Sequence, residues 1–153
     1  DGDVELIDTA KPRLLEDTLE DIGNEPTVVF CQFTEDIKTV HEVGKKMGRK
    51  VLELSGRVKE NFAFQAGEGD ILAVQIQAGG VGIDLTRARY CIYYSLGFDL
   101  GEYQQSLARV HRPGQERPVT YIHLLARGTV DQQVHNALQR RENVIKAVLH
   151  GNE

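Results

Sequence analysis

Apolar positions recur along this chain with two alternating periods, one helical and one of nearly unbroken short runs. From Lys11, the residues Leu14, Leu15, Thr18, Leu19 and Ile22 fall at helical spacing, and Gly23-Asn24 closes the segment. Pro12 is tolerated in a first helical turn. Thr27-Val-Val-Phe-Cys-Gln-Phe33 is a near-continuous apolar run, the pattern of a strand buried on both faces. Thr34-Glu-Asp36 can cap a helix that carries Ile37, Val40, Val43 and Met47 inward. A second strand is predicted over Lys50–Leu54, a short helical piece over Val58–Gln65 and a third strand over Asp70–Ile76. A fourth strand follows at Tyr90–Tyr94, a helix at Leu100–Arg112 and a fifth strand at Val119–Leu125. Thr129 then caps a long amphipathic helix with Val130, Val134, Leu138, Ile145 and Leu149 on one stripe. Strand and helix thus alternate five times, which predicts an α/β domain with a parallel sheet and helices on both faces. In such sheets ligands sit outside the carboxyl ends of the strands, so the loops that follow the strands are the places to look for chemistry.

At 153 residues the chain is read as a single domain, 1–153, with the acidic residues 1–10 as a loose N-terminal entry. It begins at Asp1 and its only methionine is Met47, so a fragment or processed product of a longer protein is expected. No apolar run approaches the roughly 18 residues of a membrane span, and no secretory leader is visible. Cys31 and Cys91 lie inside apolar runs and are expected to be buried, reduced thiols, which points to a cytoplasmic setting. A net charge of −5 gives no global attraction to nucleic acid, so any such binding must rest on local groups.

The segment Gln105-Gln-Ser-Leu-Ala-Arg109-Val-His-Arg112-Pro-Gly-Gln115 carries the first candidate chemistry. On a helix, Gln105, Arg109 and Arg112 share one stripe, with Leu100, Tyr103, Leu107 and Val110 on roughly the opposite side. The two arginines are then separated by about 4.5 Å of helix rise and are expected to point away from the core. Guanidiniums so close repel each other unless an anion lies nearby, and their forks match phosphate oxygens in pairs. Pro113-Gly114 stops the helix sharply. A solvated helix face is the plainer reading of the same residues.

The loop after the third strand holds Gly79, Gly80 and Gly82, followed at once by Asp84. Glycines there let the backbone approach a ligand and expose amide N–H groups to it, although a tight strand exit would also use them. The spacing is not a dinucleotide fingerprint, because the third glycine would fall on Leu85. No phosphate-cradling loop ends in Gly-Lys-Ser/Thr either: Gly44-Lys45 is followed by Lys46 and preceded at position 39 by Thr. Arginines aimed at phosphate without a loop to hold it suggest a contributor to a shared site. The five histidines make no ligand pair, and no metal site is predicted.

Val28–Phe33, Ser55-Gly56, Gln77-Ala-Gly-Gly-Val-Gly-Ile-Asp-Leu85 and Gln105-x-x-x-Arg109-x-x-Arg112-x-Gly-Gln115 stand in the order of motifs IV, V and VI of superfamily 2 helicases. His-Arg-x-Gly-Gln, followed later by Gly-Thr-Val-Asp, resembles the Swi/Snf-type branch of helicases and DNA translocases, over about Lys11–Leu149. The resemblance implies the second, C-terminal RecA-like lobe of an ATP-dependent motor, a P-loop NTPase-like fold without the P-loop. It implies ATP with Mg as cofactors, the Mg held by an N-terminal RecA-like lobe of the same protein, and DNA as partner. By resemblance Arg112 is the arginine finger, Arg109 its companion near the γ-phosphate, and Gln105 orients the helix or contacts the nucleotide. Gly82 and Asp84 would lie near the ribose, and Ser55, Gly56, Gln77 and Gly79 along the backbone of one nucleic-acid strand. Asp84 stands where the branch usually has Asn, and Gln75 and Gln77 replace the Ser/Thr and basic residues common before Ala-Gly-Gly. The short Ser55–Asp70 segment lacks large remodeller insertions, which suggests a compact phage or bacterial helicase-like protein. The isolated chain is not expected to hydrolyse ATP. A non-catalytic Rossmann-like module that binds an anion or a partner, and an RNA helicase lobe, are the rival readings.

Overall fold

The computed structural model describes residues 2–77, 83–95, 100–110, 118–124 and 148–150. Six strands form one sheet: β1 (Thr27–Cys31), β2 (Val51–Leu54), β3 (Ile71–Gln75), β4 (Tyr90–Tyr93), β5 (Thr120–Leu124) and β6 (Val148–His150). Their order is β2-β3-β1-β4-β5-β6, and every adjacent pair is parallel. Four described helices accompany them: α1 (Gly2–Ile22), α2 (Thr34–Lys46), α3 (Asn61–Gln65) and α4 (Leu100–Val110).

The period of two along each strand assigns its side chains to opposite faces of the sheet. Val28, Phe30, Leu72, Val74, Cys91 and Tyr93 face one side, where Phe64 of α3 and Tyr103 and Val110 of α4 join them. Val29, Cys31, Ile71, Ala73, Ile92 and Tyr94 face the other, against Leu15 and Leu19 of α1 and Ile37, Val40 and Val43 of α2. Both faces are covered, which is why the strands read as continuous apolar runs rather than as alternation. Both cysteines are buried free thiols, and burial pushes each well above the usual thiol range, so they stay protonated.

Three expectations change at element ends. Residues 2–10 are not a loose entry at the level of the backbone: α1 begins at Gly2 and runs through Pro12. The segment Val4–Ala10 contains no Gly or Pro, and its early acidic residues suit a helix N-terminus. Phe33 rather than Thr34 is the residue capping α2, and no side chain caps it. Leu149 belongs to a strand, not to the end of a long helix; β6 pairs with β5 and covers what would otherwise be an open sheet edge. The rest of that predicted helix, from Thr129, lies outside the described residues.

Gly44 sets how closely α2 lies on the sheet. A Cβ there would collide with Cγ2 of Val51 and press on the Arg49 carbonyl at 3.3 Å. Gly44→Ala is therefore expected to destabilise the domain by about 1–3 kcal/mol, despite alanine's better helix propensity. Urea unfolding measures it, and adding Val51→Ala should recover most of the loss.

Candidate functional site

Two groups of residues gather at the carboxyl ends of the strands. The first is a cleft of about 630 Å³ lined by the start of α2, the turn after β2 and the end of β3, including Lys38, His41, Glu53, Gly56, Arg57 and Gln75. Ser55 and Gly56 thus sit in the cleft, and exposed Gln77 follows Gln75 out of β3. Gly79 and Gly82 lie outside the described residues.

Glu53 organises the cleft floor. One carboxylate oxygen lies 2.9 Å from Nε2 of His41, and the other accepts the Ser55 hydroxyl at 2.6 Å. Burial alone would raise the Glu53 carboxyl, but hydrogen bonds from Ser55 and His41, with the charges of His41 and Arg57, together hold it below its ordinary value. A second network joins α2 to β4: the Gln32 amide donates to Ser95 Oγ at 2.8 Å, and the Ser95 hydroxyl donates to Asp36 at 2.6 Å. Asp36, in the predicted cap sequence, therefore ties the loop after β1 to the end of the strand that precedes α4.

The second group surrounds α4. Tyr93 is its hub on the sheet: its ring stacks on Phe30 at 5.2 Å and on His123 at 4.7 Å between centroids. Ser106 gives its proton to the Tyr103 carbonyl at 2.6 Å, so the Tyr93 hydroxyl donates to Ser106 Oγ, also at 2.6 Å. Burial raises the Tyr93 hydroxyl well above its usual value, with Cys91 and Tyr103 adding to the effect, and keeps it a donor. The Tyr103 hydroxyl lies 3.0 Å from Nε2 of His123.

Helix α4 does not present its arginine as the stripe arithmetic suggests. Arg109 is 4% exposed, and Gln105 is half-buried. The segment after the glycine loop is tied to the last turn of α4: the Leu85 amide donates to the Arg109 carbonyl at 2.9 Å, and Leu85 is fully buried. Among the described residues, Nε and Nη1 of Arg109 have no hydrogen-bond partner. Burial lowers the affinity of the guanidinium for its proton, the expected sign for a desolvated cation. Unmet buried donors of this kind fit an anion supplied from outside the domain. Arg112 lies outside the described residues, as does the Pro113-Gly114 stop.

Asp84 is exposed, and its Oδ1 accepts from the Thr86 amide at 3.0 Å and the Thr86 hydroxyl at 2.7 Å. Arg87, next in line, was not singled out by its sequence pattern. Its guanidinium donates to the carbonyls of Phe64 at 2.7 Å and Gly69 at 2.8 Å and pairs with Asp70 at 2.8 Å. It anchors the loop that carries Asp84 to α3 and to the start of β3. The structure thus ties the backbone of the Asp84 loop to the last turn of α4 through Leu85, and brings Ser55, Gly56 and Gln75 together in the cleft. Among the described residues no group of three or more His, Cys, Asp or Glu could hold a metal ion, and no helix is long and apolar enough to cross a membrane.

Residues 10–114 match the family model described as Helicase conserved C-terminal domain. DNA repair protein RAD5 of Cryptococcus neoformans var. neoformans serotype D is 30% identical over 160 residues, covering 97% of this chain and 13% of that protein. Chromatin-remodeling ATPase INO80 of Aspergillus oryzae is 28% identical over 156 residues, covering 95% of this chain and 11% of that protein. The chain therefore spans only a small part of the curated relatives it matches. The C-terminal part of the Fun30 ATPase domain superposes with a TM-score of 0.71 at 23% identity, over 94% of this chain and 46% of that one. The C-terminal domain of the DEAD-box protein Dbp5 gives 0.75 at 18% identity, over 92% and 83%. At these identities the likeness is one of fold, a RecA-like lobe.

Two outcomes follow from the site's energetics. Arg109→Met is expected to stabilise the isolated domain by about 1–3 kcal/mol in urea unfolding, because it removes buried donors that no described residue satisfies. A destabilised variant would mean that the guanidinium is satisfied within the domain. Glu53 has a lowered folded pKa, so its contribution to stability is present above about pH 4.3 and is lost as pH falls through the folded value. Glu53→Gln should accordingly flatten the acid limb of the urea midpoint plotted against pH.

Proposed function

We propose that this chain, which belongs to the family of helicase conserved C-terminal domains in its superfamily 2, Swi/Snf-type branch, is the second motor lobe of an ATP-dependent DNA helicase or translocase. The observation that carries the proposal is Arg109: a buried cation with unmet donors, locked by Leu85 to the loop of Asp84. Such an arrangement is costly for the lobe alone and useful where a second lobe brings a polyphosphate to it.

In this reading ATP lies between this lobe and an N-terminal lobe that holds the phosphates and Mg. Arg112 is the finger that stabilises charge developing on the transferred γ-phosphoryl group, and Arg109 supports it. Gly82 and Asp84 face the ribose, and Gln105 steadies α4 or touches the nucleotide. The cleft formed by Ser55, Gly56 and Gln75, continued by Gln77 and Gly79, follows the backbone of one DNA strand. Polar side chains and amides there suit phosphate tracking without base reading. The relatives named above are fungal, and the compact phage or bacterial origin read from the sequence rests on the short Ser55–Asp70 segment alone. A cytoplasmic or nuclear setting fits buried reduced thiols and relatives named for chromatin remodelling.

An arginine finger is worth roughly 10³–10⁵ in rate, about 4–7 kcal/mol of barrier. Arg112→Ala in the full-length protein should therefore abolish hydrolysis while ATP binding stays measurable, and the 153-residue chain alone should show no DNA-stimulated hydrolysis. Wild-type turnover by the variant would remove the finger assignment. Activity of the lone chain would remove the shared site. Stronger stimulation by RNA than by duplex DNA would favour the RNA helicase reading.

A further inference from the structure

We infer that Glu53 is a positioning residue of the track: it holds the turn after β2 so that Arg57 meets a nucleic-acid phosphate. The inference rests on the reading of the cleft as the nucleic-acid track. A carboxylate in a groove for a polyanion is out of place on charge alone, and Glu35 adds a second negative group against the cations Lys38 and Arg57.

The geometry supplies a reason for Glu53 to be there. Its side chain is only 16% exposed, and both oxygens are engaged inward, with His41 and with Ser55. Ser55 Oγ in turn accepts the amides of Arg57 and Val58, each at 3.3 Å. The Ser55 amide donates to the Val58 carbonyl at 2.8 Å, and Lys59 Nζ donates to the Ser55 carbonyl at 2.7 Å. Glu60 closes the other side: its carboxylate accepts the Glu53 amide at 2.8 Å, and its own amide donates to the Glu53 carbonyl at 2.9 Å.

The turn is thus clamped from within, and Ser55 is buried with its hydroxyl engaged. Gly56 and Arg57 are the exposed residues at its tip. The phosphate contact of this turn therefore passes from Ser55 to Arg57, with Ser55 and Glu53 as its support.

Two explanations for Glu53 predict opposite signs. As a bare negative charge it would repel phosphate, and Glu53→Ala would tighten binding. As a support for Arg57, its loss weakens binding. The test uses the full-length protein and a short mixed-sequence DNA duplex, with affinity read by fluorescence anisotropy over a salt series. Glu53→Ala is expected to weaken binding about 5- to 10-fold with the KM for ATP unchanged. Glu53→Gln should restore most of that, since an amide can accept from Ser55 and donate to His41. Arg57→Ala should lower the salt slope by about one phosphate contact. The double variant Glu53→Ala/Arg57→Ala should bind no more weakly than Arg57→Ala alone. Ser55→Ala, which cuts the same clamp at its other end, should reproduce the pattern if Glu53→Ala folds poorly.

Tighter binding by Glu53→Ala, or losses that simply add, would overturn the positioning role while leaving the track in place. An Arg57→Ala variant with unchanged affinity and salt slope would overturn both the role and the track at this turn.

Discussion

The candidate site at the carboxyl edge depends on α4 being held at one height above the sheet. Two contacts do this from different directions. The buried Tyr93–Ser106 hydrogen bond fixes the helix to β4, with Phe30, His123 and Tyr103 packed around it. The Leu85 amide fixes its last turn to the loop that leaves β3. A helix anchored by side-chain packing alone could slide or rotate within its groove. These directional bonds leave it one register, and they make the position of Arg109 a property of the strand ends rather than of the helix itself.

The same edge divides into two working regions. Ser95 and Asp36 join the loop after β1 to the end of β4, so the cleft beside α2 and the approach to α4 share a support. Arg87 joins α3 to the Asp84 loop in the same manner. The central strand β1 lies between β3 and β4, with the cleft built over β2 and β3 and the arginine helix following β4.

Much of the fold is legible in the sequence because each face of the sheet is buried. The runs Thr27–Cys31 and Ile71–Gln75 carry apolar residues on both sides and are short enough to be strands rather than buried helices. The arginine helix was legible as an element but not in its orientation. Wheel arithmetic at about 100° per residue puts Arg109 about 120° from Tyr103, on a flank that the sheet does not cover. Arg109 is nevertheless only 4% exposed, and the Leu85 amide meets its carbonyl, a long-range contact that helical spacing does not contain. Glu53 and Arg87 are silent in the sequence for a related reason: a single charged residue in a short strand or connecting segment looks like solvated surface until its partners on other elements are seen. The ends of α1 and β6 turn on tertiary pairing and on residues whose local preference is weak, so periodicity could not place them.

Arg109 also bears on how such lobes change over generations. Most substitutions in a core lower stability, and selection removes those that fall below what function needs. Arg109 runs the other way, since among the described residues nothing meets two of its buried donors. On the proposed role of Arg109, a lineage that no longer needed hydrolysis would let this position drift toward an apolar residue, while Tyr93, Ser106 and Leu85 would be kept for the fold. On that reading, a descendant with an intact aromatic hub and a missing arginine would be a well-folded relic of a motor lobe.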